Sequence, residues 1–254
     1  MGMRPLEDSA WLEVDEHFET ELALKAALLS SNYDVVVATN PEGDEGSREL
    51  LEEILRFLSE HHPELSRELR PGEHPIVQAS QLVQEDLCVL VKDGAWRLRA
   101  ACVCFPSRWL LASKIGTTLD EIHAPVPGFD ESLARPTKSF FDRMTPERAF
   151  WRLNWTLLDS PMLFQPTSAR VAPSGDLADW YFRVERQTLR QLPESRAVIF
   201  TIRTYVTPAA TLSERDEQFL PTLLHAMESA PASTQAYKGW TGVAQRLRDA
   251  LGAQ

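Results

Sequence analysis

Residues 86–105, "DLCVLVKDGAWRLRAACVCF", constrain the fold more than any other stretch of the chain. Two apolar, β-rich runs flank Asp93-Gly94, a pair that tolerates positive φ and suits a tight hairpin. Strands joined so closely must run antiparallel. A second strand pair is expected at 179–189, "DWYFRVERQTL", and 196–206, "RAVIFTIRTYV", joined through "RQLPES". Residues 150–158, "FWRLNWTLL", alternate as a further strand, with Trp151, Leu153, Trp155 and Leu157 to one side. Helices are expected at 17–31 and at 47–60, where Leu50, Leu51, Ile54, Leu55 and Leu58 form one stripe, and again at 213–229 and 234–251. The proline-containing segment 61–75 reads as a connecting loop that leaves His61, His62 and His74 solvated. The fold class is α+β, an antiparallel sheet with flanking helices, organised as a single domain over residues 1–254.

A hydrophobic content of 43% over 254 residues supplies a sizeable core. The formal charge of −11 argues against a nucleic-acid partner, whose phosphates need a basic surface. No run approaches the roughly 20 apolar residues of a membrane span. The start of the chain lacks the basic flank and apolar run of a signal peptide, so a cytoplasmic location without membrane attachment is expected. Cys88, Cys102 and Cys104 all lie in strand-like apolar runs and read as core thiols rather than disulfides or a zinc site.

Two constellations carry chemistry. His123 sits in "IHAPVP", where Pro125 and Pro127 stiffen the loop that presents it. Such a mounting suits a metal ligand, and it is equally how a plain turn looks. On the later strand pair, Tyr181, Arg183, Glu185 and Gln187 share one parity, and Thr201, Arg203 and Tyr205 share another. With the two strands in matching register, two arginines, one carboxylate and two phenols would converge on one face. The alternative for the same residues is a solvated outer face of exposed ion pairs.

Taken in order, "EDLCVL", "ACVCFPSRWLLASKIGTTLDEIHAPVP", "WRLNWTLLDSPMLF", "RVERQTLRQLPESRAVIFTIRTYV" and "YKGW" resemble the haem-dependent oxidative N-demethylase alpha-subunit family. The resemblance runs from about Trp11 to about Leu251. It implies a PAS-like fold enclosing a b-type haem, and oxidation of a small methylated amine with O₂. It makes His123 the proximal iron ligand and places Arg183 and Glu185 on the distal side, one polarising oxygen and the other holding the amine. Lys114, close in sequence to the histidine loop, and Arg203 become candidates for the haem propionates. A surface lysine and a structural arginine are the respective alternatives. Phe129 stands where many members of that family carry a tyrosine, so a hydroxyl that could donate to oxygen is absent here.

The chain has no G-x-G-x-x-G fingerprint and too few cysteines for an iron–sulfur cluster, so an external reductase is implied as electron donor. The same scaffold could serve a haem-based gas or redox sensor, or an interaction subunit that has lost the cofactor.

Overall fold

The computed structural model describes residues 2–65, 69–167, 179–240 and 242–252. Its centre is a seven-stranded antiparallel sheet in the order β1-β5-β6-β7-β3-β4-β2. The strands are β1 (Arg4–Leu6), β2 (Val37–Thr39), β3 (Asp86–Asp93), β4 (Ala95–Cys102), β5 (Ala149–Leu158), β6 (Tyr181–Gln191) and β7 (Val198–Pro208). Gly94, at φ +66°, makes the turn between β3 and β4, which is the hairpin that Asp93-Gly94 predicts.

Helices cover the sheet on both faces. On one face lie α1 (Phe18–Ser31), α2 (Tyr33–Val36), α3 (Asp44–His61) and α4 (Pro75–Ser80). Of the expected stripe on α3, Leu50, Ile54 and Leu58 are buried there with Phe57 against Leu87, Val89 and Ile199 of β3 and β7, Leu51 is partly buried and Leu55 is exposed. On the other face, α5 (Leu119–His123) and α6 (Ala134–Asp142) join Cys88, Leu90, Leu98 and Leu189 in a second apolar cluster. A third cluster forms where α7 (Ala209–Arg215), α8 (Phe219–Ser229) and α10 (Val243–Gly252) close over the ends of β5 and β6, with α9 (Ala232–Lys238) between α8 and α10 in the chain. No helix among the described residues is long and apolar enough to cross a membrane.

Three sequence expectations are corrected. The segment 61–75 is not a plain loop, because Pro75 opens α4 and the His74 ring caps it, accepting from Ile76 N at 3.2 Å. Its other ring nitrogen then donates to Asp44 Oδ1 at 3.1 Å, so His74 ties α4 to α3. The helix expected at 213–229 is two helices. Asp216 is extended and its side chain accepts from Gln218 N at 2.9 Å, a local bond that competes with helix continuation. The helix expected at 234–251 breaks at Gly239, whose φ of +70° ends α9.

The three cysteines are buried and free, as core thiols should be, with Cys102 Sγ and Cys104 Sγ 4.0 Å apart.

Close approach of α3 to the sheet depends on Gly43. A Cβ there would sit 2.8 Å from the backbone carbon and oxygen of Arg99 on β4, and backbone cannot swing aside. Gly43→Ala is expected to lower unfolding free energy by about 1–3 kcal/mol, the usual cost of overpacking. Urea denaturation measures it, and an unchanged midpoint would show that this contact does not set the packing distance.

Candidate functional site

The capping box of α5 begins the site. Thr118 Oγ1 accepts from Glu121 N at 3.2 Å, and the Glu121 carboxylate accepts from Thr118 N at 2.7 Å. This fixes a helix of only five residues, and His123 is its last. His123 Nδ1 lies 2.7 Å from the carbonyl oxygen of Leu119 one turn earlier. A carbonyl can only accept, so Nδ1 carries the proton and Nε2 keeps its lone pair. No bond to Nε2 forms among the described residues. Burial pushes the His123 pKa below its ordinary value, with the Leu119 bond acting in the opposite sense and nearby Arg152 and Lys114 adding to the lowering. The ring is therefore a neutral imidazole at pH 7, stacked on Phe129 at 4.7 Å with 12° between the planes. Lys114 Nζ donates to the Ile122 carbonyl at 2.9 Å, which ties it to the end of the same helix.

His123 and Lys114 both line a cavity of about 1110 Å³ on this face of the sheet. Its floor is apolar, with Leu90, Leu98, Leu119, Phe141, Leu189 and Phe200. One wall is polar and comes from β5, β6 and the end of α9. Arg152 and Asn154 of β5 stand directly opposite Gln187 and Glu185 of β6. Arg152 Nε donates to Gln187 Oε1 at 2.7 Å, while Gln187 Nε2 donates to Glu185 Oε2 at 3.0 Å. From the other side Asn154 Nδ2 reaches Glu185 Oε2 at 3.3 Å, and Lys238 Nζ donates to Asn154 Oδ1 at 2.9 Å. Burial lowers the pKa of both Arg152 and Lys238, and Glu185 opposes that shift in each.

The cavity is basic although the chain is acidic. Its described lining includes Arg108, Lys114, Arg152, Lys238 and Arg246 against Asp159 and Glu185. Arg108 is paired with Asp159. Among the described residues no three His, Cys, Asp or Glu side chains gather as a metal cage, and His123 offers its imidazole alone.

A family model described as haem-dependent oxidative N-demethylase, alpha subunit-like, matches residues 2–248. The chain belongs to this family. The matched span takes in every element that builds the cavity, from Met3 to Arg246.

Of the residues singled out in the sequence, His123, Lys114 and Glu185 face the cavity. Arg183 does not line it. Fully buried behind the wall, it donates to the carbonyls of Leu163 and Phe105 and to Thr204 Oγ1, and its Nε faces Glu185 Oε1 at 3.5 Å. Arg203 is on the opposite face of the sheet. The register pairs Glu185 with Thr204 and Arg186 with Arg203, so the convergence of Arg183 and Glu185 with Arg203 and Tyr205 does not occur. Arg203 is instead held by Asp15 at 2.6 Å and Glu21 at 2.8 Å. It therefore cannot serve a cofactor bound in this cavity. Arg152 and Lys238 escaped the sequence reading. The signal for Arg152 was the parity of β5: Arg152, Asn154 and Thr156 face the cavity, while Leu153 on the other parity is 56% exposed. Lys238, in "YKGW", arrives from a helix with no local pattern pointing to a sheet.

A strut behind the wall holds the loop that leads to the cavity. The fully buried Asp86 accepts from Cys104 N at 2.7 Å and Phe105 N at 3.0 Å, and Arg183 takes the Phe105 carbonyl. Burial pushes the Asp86 pKa up to about 6, outweighing the opposing pull of Lys25, those two N–H groups and Arg183. Since this folded-state value lies above the unfolded one, the stability Asp86 contributes is present at low pH and lost as pH rises through about 6. The difference in unfolding free energy between wild type and Asp86→Asn should accordingly fall by about 2 kcal/mol from pH 4 to pH 7. Chemical denaturation across that range checks it, and a flat difference would refute the buried-acid account.

Proposed function

We propose that the chain is a haem-dependent oxidative N-demethylase acting on a small methylated amine, with His123 as the proximal iron ligand. The observation that carries this reading is the histidine itself. Its proton is committed to the Leu119 carbonyl, and its free nitrogen belongs to a ring lining a large cavity. Iron held in a macrocycle asks the protein for only one or two ligands, and a neutral imidazole is the usual one. A fixed acceptor for the second ring N–H orients the ligand and raises its basicity.

The residues present fit such a cofactor. The apolar floor suits the macrocycle, and Arg152 and Lys114 suit its two carboxylates, which the basic surplus of the cavity would attract. A PAS-like scaffold is part of the same proposal. It is supported by the five long strands, of which the first and last, β3 and β7, pair in the middle of the sheet. When bound, haem would supply the redox-active iron on which O₂ chemistry depends, with electrons from a separate reductase. The protein's own contribution is binding and orientation. Glu185 accepts a hydrogen bond from the amine N–H, and Arg183 steadies that carboxylate through an ion pair at 3.5 Å. Phe129 packs on the His123 ring, so its lack of a hydroxyl falls on the histidine side of the cavity.

Titrating the purified chain with haem should give a sharp Soret band at near-stoichiometric binding. His123→Ala should shift that band and weaken binding at least tenfold. Because the imidazole must be neutral to ligate and its pKa is depressed, wild-type affinity should hold down to about pH 6.5 and decline only below it. With haem, a reductant and O₂, a methylamine panel should yield formaldehyde, and Glu185→Gln should reduce the yield. A featureless spectrum, or a spectrum indifferent to His123→Ala, would overturn the ligand assignment. A normal spectrum with no amine consumed would overturn the demethylase reading alone.

A further inference from the structure

Two cations that never touch Glu185 determine how it is presented. Lys238 has only hydrogens to give, so Asn154 must turn its oxygen toward Lys238, at 2.9 Å, and its NH₂ toward Glu185. Arg152 likewise has only hydrogens, so Gln187 must offer it Oε1 and turn its own NH₂ toward Glu185. Neither amide can flip without setting oxygen against oxygen on one side and hydrogen against hydrogen on the other. Arg183 Nε faces Oε1 at 3.5 Å, an ion pair and not a hydrogen bond. The two hydrogen bonds to Glu185 both come from donors and its ion-pair partner is a cation, so what it still offers the cavity is acceptor capacity.

Lys238 is itself well anchored. Its ammonium also donates to the Trp155 carbonyl at 2.9 Å and lies 5.7 Å from the Trp155 ring centre and 5.5 Å from that of Trp240. Those two rings stack at 4.7 Å, joining β5 to the segment that follows α9.

Resting on the reading that Glu185 receives the amine, we propose that Lys238 and Arg152 are positioning residues. They act through Asn154 and Gln187 to hold Glu185 as an oriented, acceptor-only group. The consequence is specificity by hydrogen rather than by charge. The site takes a nitrogen that still bears a hydrogen and rejects one that is fully substituted, because the cations around Glu185 leave little net attraction for a positive charge as such.

Calorimetric titration of the full chain, with and without added haem, tests this with dimethylammonium and tetramethylammonium as probes. Wild type should bind dimethylammonium at least tenfold more tightly than tetramethylammonium. Lys238→Met should lose at least tenfold in dimethylammonium affinity, and Lys238→Arg, which still only donates, should recover most of it. Asn154→Asp is nearly isosteric and keeps an acceptor for Lys238, but it removes the hydrogen given to Glu185. It should lose affinity comparably, and it carries the test should Lys238→Met fail to fold. Wild-type affinity in both Lys238→Met and Asn154→Asp, or equal binding of the two ammonium probes by wild type, overturns the relay. If wild type binds neither probe, the relay falls together with the amine role of Glu185, whereas the haem spectrum and its dependence on His123 are read separately.

Discussion

The pairing of β6 with its two neighbours is the constraint on which the rest of the molecule depends. It sets Arg152 opposite Gln187 and Asn154 opposite Glu185 on one side, and Arg186 opposite Arg203 on the other. Because side chains alternate along a strand, a slip of one residue would exchange the two faces. The polar wall of the cavity and the charged cluster under α1 are thus built from interleaved residues of the same strands. Alternation alone reveals that two faces exist, and only the register says which residues share one.

Both faces bury charge, and each does so by meeting it with opposite groups. Under α1, Lys25 is fully buried and its ammonium donates to the carbonyls of Ser80, Val83 and Glu85. Nearby, Arg203 is gripped by Asp15 and Glu21. Breaking one partner of such a set is costly because it strands a desolvated charge. The cavity face differs in presenting polar groups to an open space. His123 commits one ring nitrogen and keeps the other, and Glu185 accepts from amides whose own orientation is dictated from behind. The charges under α1 are buried among their partners, whereas His123 and Glu185 line an open cavity. That difference is the physical basis for reading the cavity as a site and the α1 cluster as scaffold.

Much of this was legible in the chain. Asp93-Gly94 announces its hairpin, Leu50, Ile54 and Leu58 announce the buried face of α3, and His123 beside two prolines announces a fixed side chain. Glu185 was found by parity and family likeness together. Most misreadings of the site concern partners far apart in sequence. Arg203 was placed by assuming matching parity on β6 and β7, while the true register is offset by one. On β5 the alternation marks the tryptophan parity as apolar and leaves Arg152 on the other parity without a local signal of its role. Lys238 meets Asn154 across 84 positions, and the acceptor for the His123 ring, only four residues away, depends on a helix too short for any periodicity to show. The breaks at Asp216 and Gly239 are local and could have been read from the turn chemistry of those residues.

The central claim is that the free nitrogen of His123 holds iron. Resonance Raman spectroscopy of the dithionite-reduced, haem-supplied protein addresses that bond directly through the iron–histidine stretching band. The account predicts the band in wild type, its loss in His123→Gly, and its return when imidazole is added to that variant. A band that persists unchanged in His123→Gly would place the iron on another ligand and contradict the account.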